Sequence, residues 1–354
     1  MTGTAFVFDM APRRVYWEIT RACDLVCRHC RAEAAPAPDP SELTQAEGLR
    51  LLDDLARFGH PLPHVVLTGG DPLKRADVFT LIRHARGSGL GVSVAPSATP
   101  LLTDAALAEL KAAGAQAISL SLDGSTAARH AALRGVPGCF ARTMEAVTAA
   151  REVGLPFQLN TLVSAETIDD LPAIRRLAST LGAARWSLFF LVTVGRGAML
   201  RQIEPQQFRR LLDWLLEPAD GPEPVIATTE APQLRRLLLE RRRGSARAHV
   251  PGAGIRDGNG IMFVSHTGSV TPAGFLPLSV GNVRTADVVR LYREAPLFRA
   301  LRRAEAFGGR CGACEFRDPC GGSRARAYAA TGDPCAEDPL CPEELFASMT
   351  ANVG

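Results

Sequence analysis

The sequence predicts an α/β protein: a partial (β/α)6 TIM-like barrel followed by a smaller, cysteine-bearing carboxyl-terminal domain. Three observations carry this. From about residue 14 to 192, β-rich apolar runs alternate with amphipathic helical stretches. Polar or glycine-rich segments follow one strand after another. Eight of the nine cysteines fall into two groups, one just after the first apolar run and one near the carboxyl end.

The strands are RVYWEIT (14–20), HVVLTG (64–69), GVSVAP (91–96), AISLSLD (117–123), FQLNTLV (157–163) and RWSLFFLV (185–192). Helices are expected near 43–57, 76–88, 103–114, 139–153 and 168–182, ended by signals such as Gly59, Gly114 and Gly154. Six βα units in series require right-handed crossovers and a parallel sheet. They are too few to close an ordinary eight-stranded barrel. Residues 1–200 form this unit, and 201–255 read as a helical bridge with six arginines between 235 and 247, a solvated helix face or else an anion-binding wall. The Pro/Gly-rich PGAGIRDGNG (251–260) marks the boundary. Residues 256–354 then hold a hairpin turning at Thr267 and Gly268, a helix from about 284 to 303, and the second cysteine group.

Composition narrows the class. With 46% hydrophobic and 22% charged residues the chain is an ordinary globular one, and its formal charge of +3 gives no reason to expect nucleic acid. No run is long enough for a membrane span and the amino end carries no export signal, so a cytoplasmic protein that binds no membrane is expected. Only Lys74 and Lys111 are lysine, leaving 38 arginines. The planar guanidinium suits carboxylate and phosphate, although a genomic composition habit gives the same excess.

Nine cysteines without an export signal cannot be an all-paired disulfide framework, and their grouping points to metal. Cys23, Cys27 and Cys30 put three thiolates on one loop, whereas a closed zinc site wants four ligands. A 4Fe-4S cluster on three thiolates leaves one iron open for chemistry. In ligand-binding α/β sheets the site lies at the carboxyl ends of the strands, which is where TRACDLVCRHC, TGGDP, PSATP and DGS fall. Cys139, alone after GVPG, reads as a small buried residue.

The Cys-x3-Cys-x2-Cys loop after the first strand, with TGGDP after the second, resembles the radical SAM superfamily. The resemblance implies a 4Fe-4S cluster on Cys23, Cys27 and Cys30. Its open iron would bind S-adenosylmethionine, and an electron from a flavodoxin- or ferredoxin-type donor would cleave this to methionine and a 5′-deoxyadenosyl radical. Thr68, Gly69, Gly70 and Asp71 are similar to the family's GGE motif, with Asp for the commoner Glu. The glycines would let the backbone approach the methionine moiety, and the Asp71 carboxylate would accept from its ammonium or leave the contact to the main chain. The resemblance also implies polar contacts to ribose and carboxylate from Ser97, Thr99, Ser121, Asp123 and Asn160. Arg134 would pair with the methionine carboxylate, and Leu191 and Val192 would flank the adenine.

The carboxyl-terminal Cys311-x2-Cys314-x5-Cys320 group resembles SPASM and twitch auxiliary-cluster domains. Ala273, Val280 and Ser323 stand where the full seven-cysteine pattern has thiolates, so a twitch-type domain with one auxiliary 4Fe-4S cluster is implied, completed by Cys341, with Cys335 as the alternative. A four-cysteine zinc ribbon is the plain metal reading of the same group.

The likeness extends through TTEAP, FVSHTGSVTP, GFLPL, GNVR and GGSRARAYAATGD, and is greatest to the haem-pathway branch that decarboxylates or remodels porphyrin side chains, with a neighbouring decarboxylase of nucleoside sugar acids. It implies a small carboxylated substrate and a decarboxylation. Arg196 and Asp123 are the candidates for catalytic roles, with Arg196, Arg235, Arg236 and Arg324 as holders of the substrate carboxylate. Peptide maturation competes, but it usually comes with a leader-binding domain and about 13 residues precede the first strand. A noncatalytic iron-sulfur or zinc scaffold is the reading from another class.

Overall fold

The computed structural model describes residues 7–218, 221–242, 252–343 and 345. Six strands, β1 (Arg14–Thr20), β2 (His64–Gly69), β3 (Gly91–Val94), β4 (Ala117–Ser121), β5 (Phe157–Val163) and β6 (Arg185–Phe190), pair in parallel and in sequence order. Between them lie helices α1 (Gln45–Ala56), α2 (Val78–Gly87), α3 (Asp104–Ala113), α4 (Ala127–Arg134), α5 (Cys139–Glu152) and α6 (Leu171–Leu181). These strands form a parallel, open sheet: among the described residues its two edges do not pair.

Alternation along each strand fixes which side chains meet the helices. Val15, Trp17 and Ile19 of β1 are buried in the main core with Leu51, Leu52 and Leu55 of α1. Gly48 lets that helix lie on the indole, since a Cβ there would stand 2.8 Å from Trp17 Cη2. Tyr16 and Glu18 point the other way, into the barrel. The helices start where short polar side chains can cap them: Thr44 and Glu47 form a reciprocal capping box on α1, and Thr103 and Thr126 cap α3 and α4. Helix α4, absent from the sequence expectation, ends at Arg134 on a left-handed Gly135.

Both edges of the barrel sheet are extended. The stretch expected as a helical bridge holds helix α7 (Pro205–Leu215), a strand β7 (Val225–Thr229) and helix α8 (Gln233–Arg241), and β7 pairs in parallel with β6. Of its six arginines, Arg243 and Arg247 lie outside the described residues. At the other edge β8 (Ile261–Val264) runs parallel to β1, and β9 (Ser269–Thr271) and β10 (Gly281–Asn282) continue antiparallel, so the sheet has ten strands among the described residues. The hairpin therefore seats the carboxyl-terminal residues directly against the first strand of the barrel. The helix expected over 284–303 is two, α9 (Val288–Glu294) and α10 (Pro296–Arg302), because Pro296 cannot continue the first. Helices α11 (Gly309–Ala313) and α12 (Arg324–Thr331) frame the second cysteine group. Among the described residues no helix is long and apolar enough to cross a membrane.

Candidate functional site

The Cys23–Cys30 loop begins one turn after β1 and is held from three sides. Its main chain is tied by Cys23 N to Ala35 O at 2.8 Å, by Arg28 N to Leu133 O of α4 at 2.8 Å, and by Arg196 N to Cys30 O at 3.1 Å. Gly195 can approach because it lacks a side chain: its φ is +52° and a Cβ would stand 2.6 Å from Arg31 O. Each sulfur has a donor nearby. Leu25 N lies 3.4 Å from Cys23 Sγ, Ala34 N 3.4 Å from Cys30 Sγ, and Arg134 Nη1 3.7 Å from Cys27 Sγ. Burial pushes the Cys23 thiol up from its ordinary range.

The structure assigns several sequence candidates to holding this loop instead of to a ligand. Arg196, read as a catalytic group or substrate carboxylate holder, donates from Nε to Cys27 O at 2.9 Å and from Nη1 to Ala34 O at 3.3 Å. Arg134 pairs with the buried Asp123. Asp123 also accepts from Leu162 N at 2.7 Å, so its carboxylate is committed within the protein. Burial raises the Asp123 carboxyl, and Arg134 and then His29 more than offset it, leaving it below its ordinary value. The Arg134 guanidinium, disfavoured by the same burial, is held up by Asp123 and Cys27.

TGGDP is likewise turned inward. Gly70 N and Asp71 N donate to Thr20 O and Ala22 O at 2.9 and 2.7 Å, and a Cβ on Gly70 would stand 2.3 Å from Ala22 O. The glycines are thus needed where the second strand end crosses the start of the cysteine loop. Asp71 is fully buried and accepts from Thr99 Oγ1 at 2.6 Å, Leu73 N at 3.1 Å and Ser97 N at 3.3 Å. Its carboxylate and the Thr99 hydroxyl bond each other, and both main-chain N–H groups of Gly70 and Asp71 are likewise taken within the protein. Ser97 Oγ donates to Gly70 O at 2.8 Å and lies 3.6 Å from Cys23 Sγ.

Thr68, Ser121 and Asn160 are placed differently, although Asn160 Oδ1 accepts from Gln158 Nε2 at 2.7 Å. They are half-buried on the barrel side of β2, β4 and β5, and Ser121 and Asn160 are register partners on adjacent strands. Leu191 is buried in a small apolar group with Leu133, Leu162 and Leu200, and Val192 packs instead with Ala273 and Leu276. Leu133, Leu162 and Leu200 were invisible to sequence reasoning because they come from three separate segments. His29, on the same loop, is half-buried, and desolvation drops its imidazole to about 4, against Asp123 and with the help of Arg134. Its neutral ring leaves Nδ1 without a hydrogen bond, as are Arg134 Nε and Arg196 Nη2.

The second group forms a cavity. Cys311, Cys314, Cys320 and Cys341 line it together with Arg236 and Gln233. Cys335 lies outside, against Ala304, Phe307 and the far side of Cys311. Gly321 and Gly322 turn the chain around the cavity with φ near +65°, and a Cβ on Gly322 would stand 3.1 Å from Cys311 Sγ. Burial, then the neighbouring Cys311 and Cys314, pushes the Cys320 thiol up to about 12, and burial with Cys320 raises Cys341 as well. The arginines expected to hold a substrate carboxylate are engaged here. Arg324, fully buried, lies 3.4 Å from Cys311 Sγ and donates to Pro334 O and Ala336 O. Arg236 Nη1 lies 3.8 Å from Cys314 Sγ. Arg235 donates to Gly252 O and Ile255 O. These guanidiniums are thus largely committed within the protein, with Arg324 Nε left without a hydrogen bond.

The chemistry of both donor sets suits iron-sulfur clusters, which cysteine thiolates hold. The first site offers three thiolates with unpartnered Arg134 Nε and Arg196 Nη2 beside it. The second offers four around one cavity, hence a site with no open iron.

The radical SAM superfamily model matches residues 17–178. An AdoMet-dependent heme synthase of Oleidesulfovibrio alaskensis is 37% identical over 94% of this chain and 87% of its own length. A pre-heme d1 synthase of Dinoroseobacter shibae is 31% identical over 92% of this chain and 85% of its own. Among solved structures, Streptococcus suis SuiB bound to S-adenosylmethionine superposes with a TM-score of 0.72 at 16% identity, over 94% of this chain and 77% of that one, a likeness of fold.

Proposed function

The chain belongs to the radical SAM superfamily, and from that premise we propose that it decarboxylates a carboxylated tetrapyrrole side chain. Cys23, Cys27 and Cys30 would hold the family's 4Fe-4S cluster, which with S-adenosylmethionine would supply a radical able to take one hydrogen atom from the substrate. As carbon dioxide leaves, the remaining electron would pass to a cluster or stay in the product. A flavodoxin- or ferredoxin-type protein is the proposed electron donor. One observation carries the reading: a loop of three thiolates on the barrel is combined in one chain with a cavity of four, the arrangement in which the first site keeps an open iron and the second does not. The tetrapyrrole assignment draws on the names of relatives that align over nearly the whole chain.

The protein's own groups have definable parts in this proposal. Ser121, Asn160 and Thr68 face the barrel and would bond the ribose and methionine polar groups. Leu133, Leu162, Leu191 and Leu200 would flank the adenine and keep water from it. Gly70 and Asp71 would contribute carbonyl oxygens only, each able to accept a second bond beside its internal one. Cys341, not Cys335, would complete the auxiliary cluster.

Anaerobic incubation of reconstituted enzyme with dithionite, S-adenosylmethionine and an iron-coproporphyrin or related tetrapyrrole acid tests the reaction. Carbon dioxide should form in step with 5′-deoxyadenosine. Release of 5′-deoxyadenosine without carbon dioxide, with a crosslink formed in a co-encoded peptide, would establish maturation of a peptide instead.

A further inference from the structure

The two cysteine sites sit in different electrostatic surroundings. Beside the barrel loop the one guanidinium found near a thiolate among the described residues is Arg134, and its charge is matched by the buried carboxylate of Asp123. Beside the auxiliary cavity Arg324 lies 3.4 Å from Cys311 Sγ, stacks on Phe307 with its guanidinium carbon 4.4 Å from the ring centre, and is fully buried. Its other bonds go to the carbonyls of Pro334 and Ala336, and no carboxylate among the described residues forms an ion pair with it. Arg236, also buried, adds a second guanidinium 3.8 Å from Cys314 Sγ, stacked on Phe316 at 4.8 Å, with Glu240 on its Nε. Main-chain donors reach the same two sulfurs, from Asp338 N at 3.4 Å and Phe316 N at 3.3 Å.

Positive charge and hydrogen bonds at cluster sulfurs favour the reduced, more negative form of a cluster and raise its potential, the more so where water is excluded. We propose that Arg324, assisted by Arg236, is a positioning residue that sets the auxiliary cluster's potential above that of the barrel cluster. This rests on the reading that Cys311, Cys314, Cys320 and Cys341 hold a cluster. Arg324 carries the larger share, because no carboxylate among the described residues pairs with it directly, Asp257 acting on it only at a distance, while Arg236 shares its charge with Glu240. The outcome is an ordered pair of one-electron sites in one chain: the barrel site is the harder to reduce, and the auxiliary site is the one that retains an electron.

Potentiometric titration of the reconstituted full chain, followed by electron paramagnetic resonance, tests this. Cys23→Ala with Cys27→Ala and Cys30→Ala isolates the auxiliary signal. In that background Arg324→Gln should raise the oxidised-to-reduced ratio at a given potential at least tenfold, equivalent to about 59 mV for one electron. Arg236→Gln should shift it less, in the same direction, and Arg324→Lys should restore part of the change. In the otherwise native chain Arg324→Gln should leave the barrel cluster's potential unmoved. Iron content separates the two layers of the proposal: about four irons in the parent triple variant support the auxiliary cluster itself, and none would sink that reading before any potential is measured. If Arg324→Gln fails to retain iron, Arg236→Gln decides. Unchanged potentials at full iron content, or loss of iron from both variants, would overturn the tuning role.

Discussion

Arg134 joins the buried Asp123 carboxylate to the Cys27 thiolate: it forms an ion pair with the first and approaches the sulfur of the second to 3.7 Å. Asp123→Asn leaves that guanidinium buried and uncompensated, which costs about 3–5 kcal/mol. The melting temperature of the cluster-free protein should therefore fall at neutral pH. The native Asp123 carboxyl is held below its ordinary value of 3.8, so its contribution is present above that value and is lost as pH falls through the lower folded one. The difference between native and variant should narrow in acid below about pH 4; a difference as large at pH 3 as at pH 7 would contradict the pairing.

Arg196→Ala should act on the cluster loop. It removes the donors to Cys27 O and Ala34 O, bonds of a charged group worth about 1.5–3 kcal/mol each. The expected result is a lower iron content and faster loss of the barrel cluster in air, with the substrate KM of the surviving holoenzyme unchanged. A raised KM at full iron content would instead return Arg196 to the role of carboxylate holder.

These two arginines show where the sequence was legible and where it was not. The three-cysteine loop and the strand ends could be read because their residues are neighbours in the chain and their periodicity is local. The six barrel strands lie close to their expected bounds for the same reason. Strand β7 escaped notice, as only five residues of VIATT carry it and Val225 is exposed, so no buried face shows in the pattern. The pairing of β8 with β1 joins residues almost 250 positions apart, which no local signal encodes. The arginines could be named as anion binders, since guanidinium suits carboxylate. Which acceptor each would meet depends on the fold: for Arg196, Arg235 and Arg324 it is a carbonyl or a thiolate, and for Arg236 also the carboxylate of Glu240.

Cys341→Ser and Cys335→Ser should separate cleanly. The first removes a thiolate from the cavity, so reconstituted protein should hold fewer than the roughly eight irons of the native chain, approaching four. The second alters a side chain outside the cavity and should keep about eight. About twelve in the native protein would require a third cluster and contradict a single auxiliary site.

Gly70→Ala places a Cβ within 2.3 Å of Ala22 O, where the acceptor is main chain and cannot swing aside. The strand end and the cysteine loop must separate, at a cost of about 1–3 kcal/mol. Stability and barrel-cluster iron should both fall. Gly87→Ala, at the end of α2 with nothing within 4 Å, is the matched control and should change neither. Equal behaviour of the two variants would show that the crossing is looser than its geometry indicates.

Glu230 supplies the pH dependence on the alkaline side. It follows β7 with φ +60°, is buried, and bonds the Ser323 hydroxyl, while Arg326 donates to its carbonyl oxygen. Burial, then the nearby Asp257 carboxylate, pushes its carboxyl up to about 8 from an ordinary 4.5. Between those values the folded protein keeps a proton that the unfolded chain has released. Stability is then full below about pH 4.5 and declines as pH rises towards 8, by at most about 1.4 kcal/mol per unit from this one group. Glu230→Gln keeps the shape and the bond to Ser323 and removes the titration. Its denaturant midpoint should accordingly vary less than the native one between pH 5.5 and about 8, and the variant should be the more stable of the two at the alkaline end. Parallel native and variant curves across this range would show that Glu230 is ionised in the folded protein, with Arg326 and Ser323 sufficient to hold its charge.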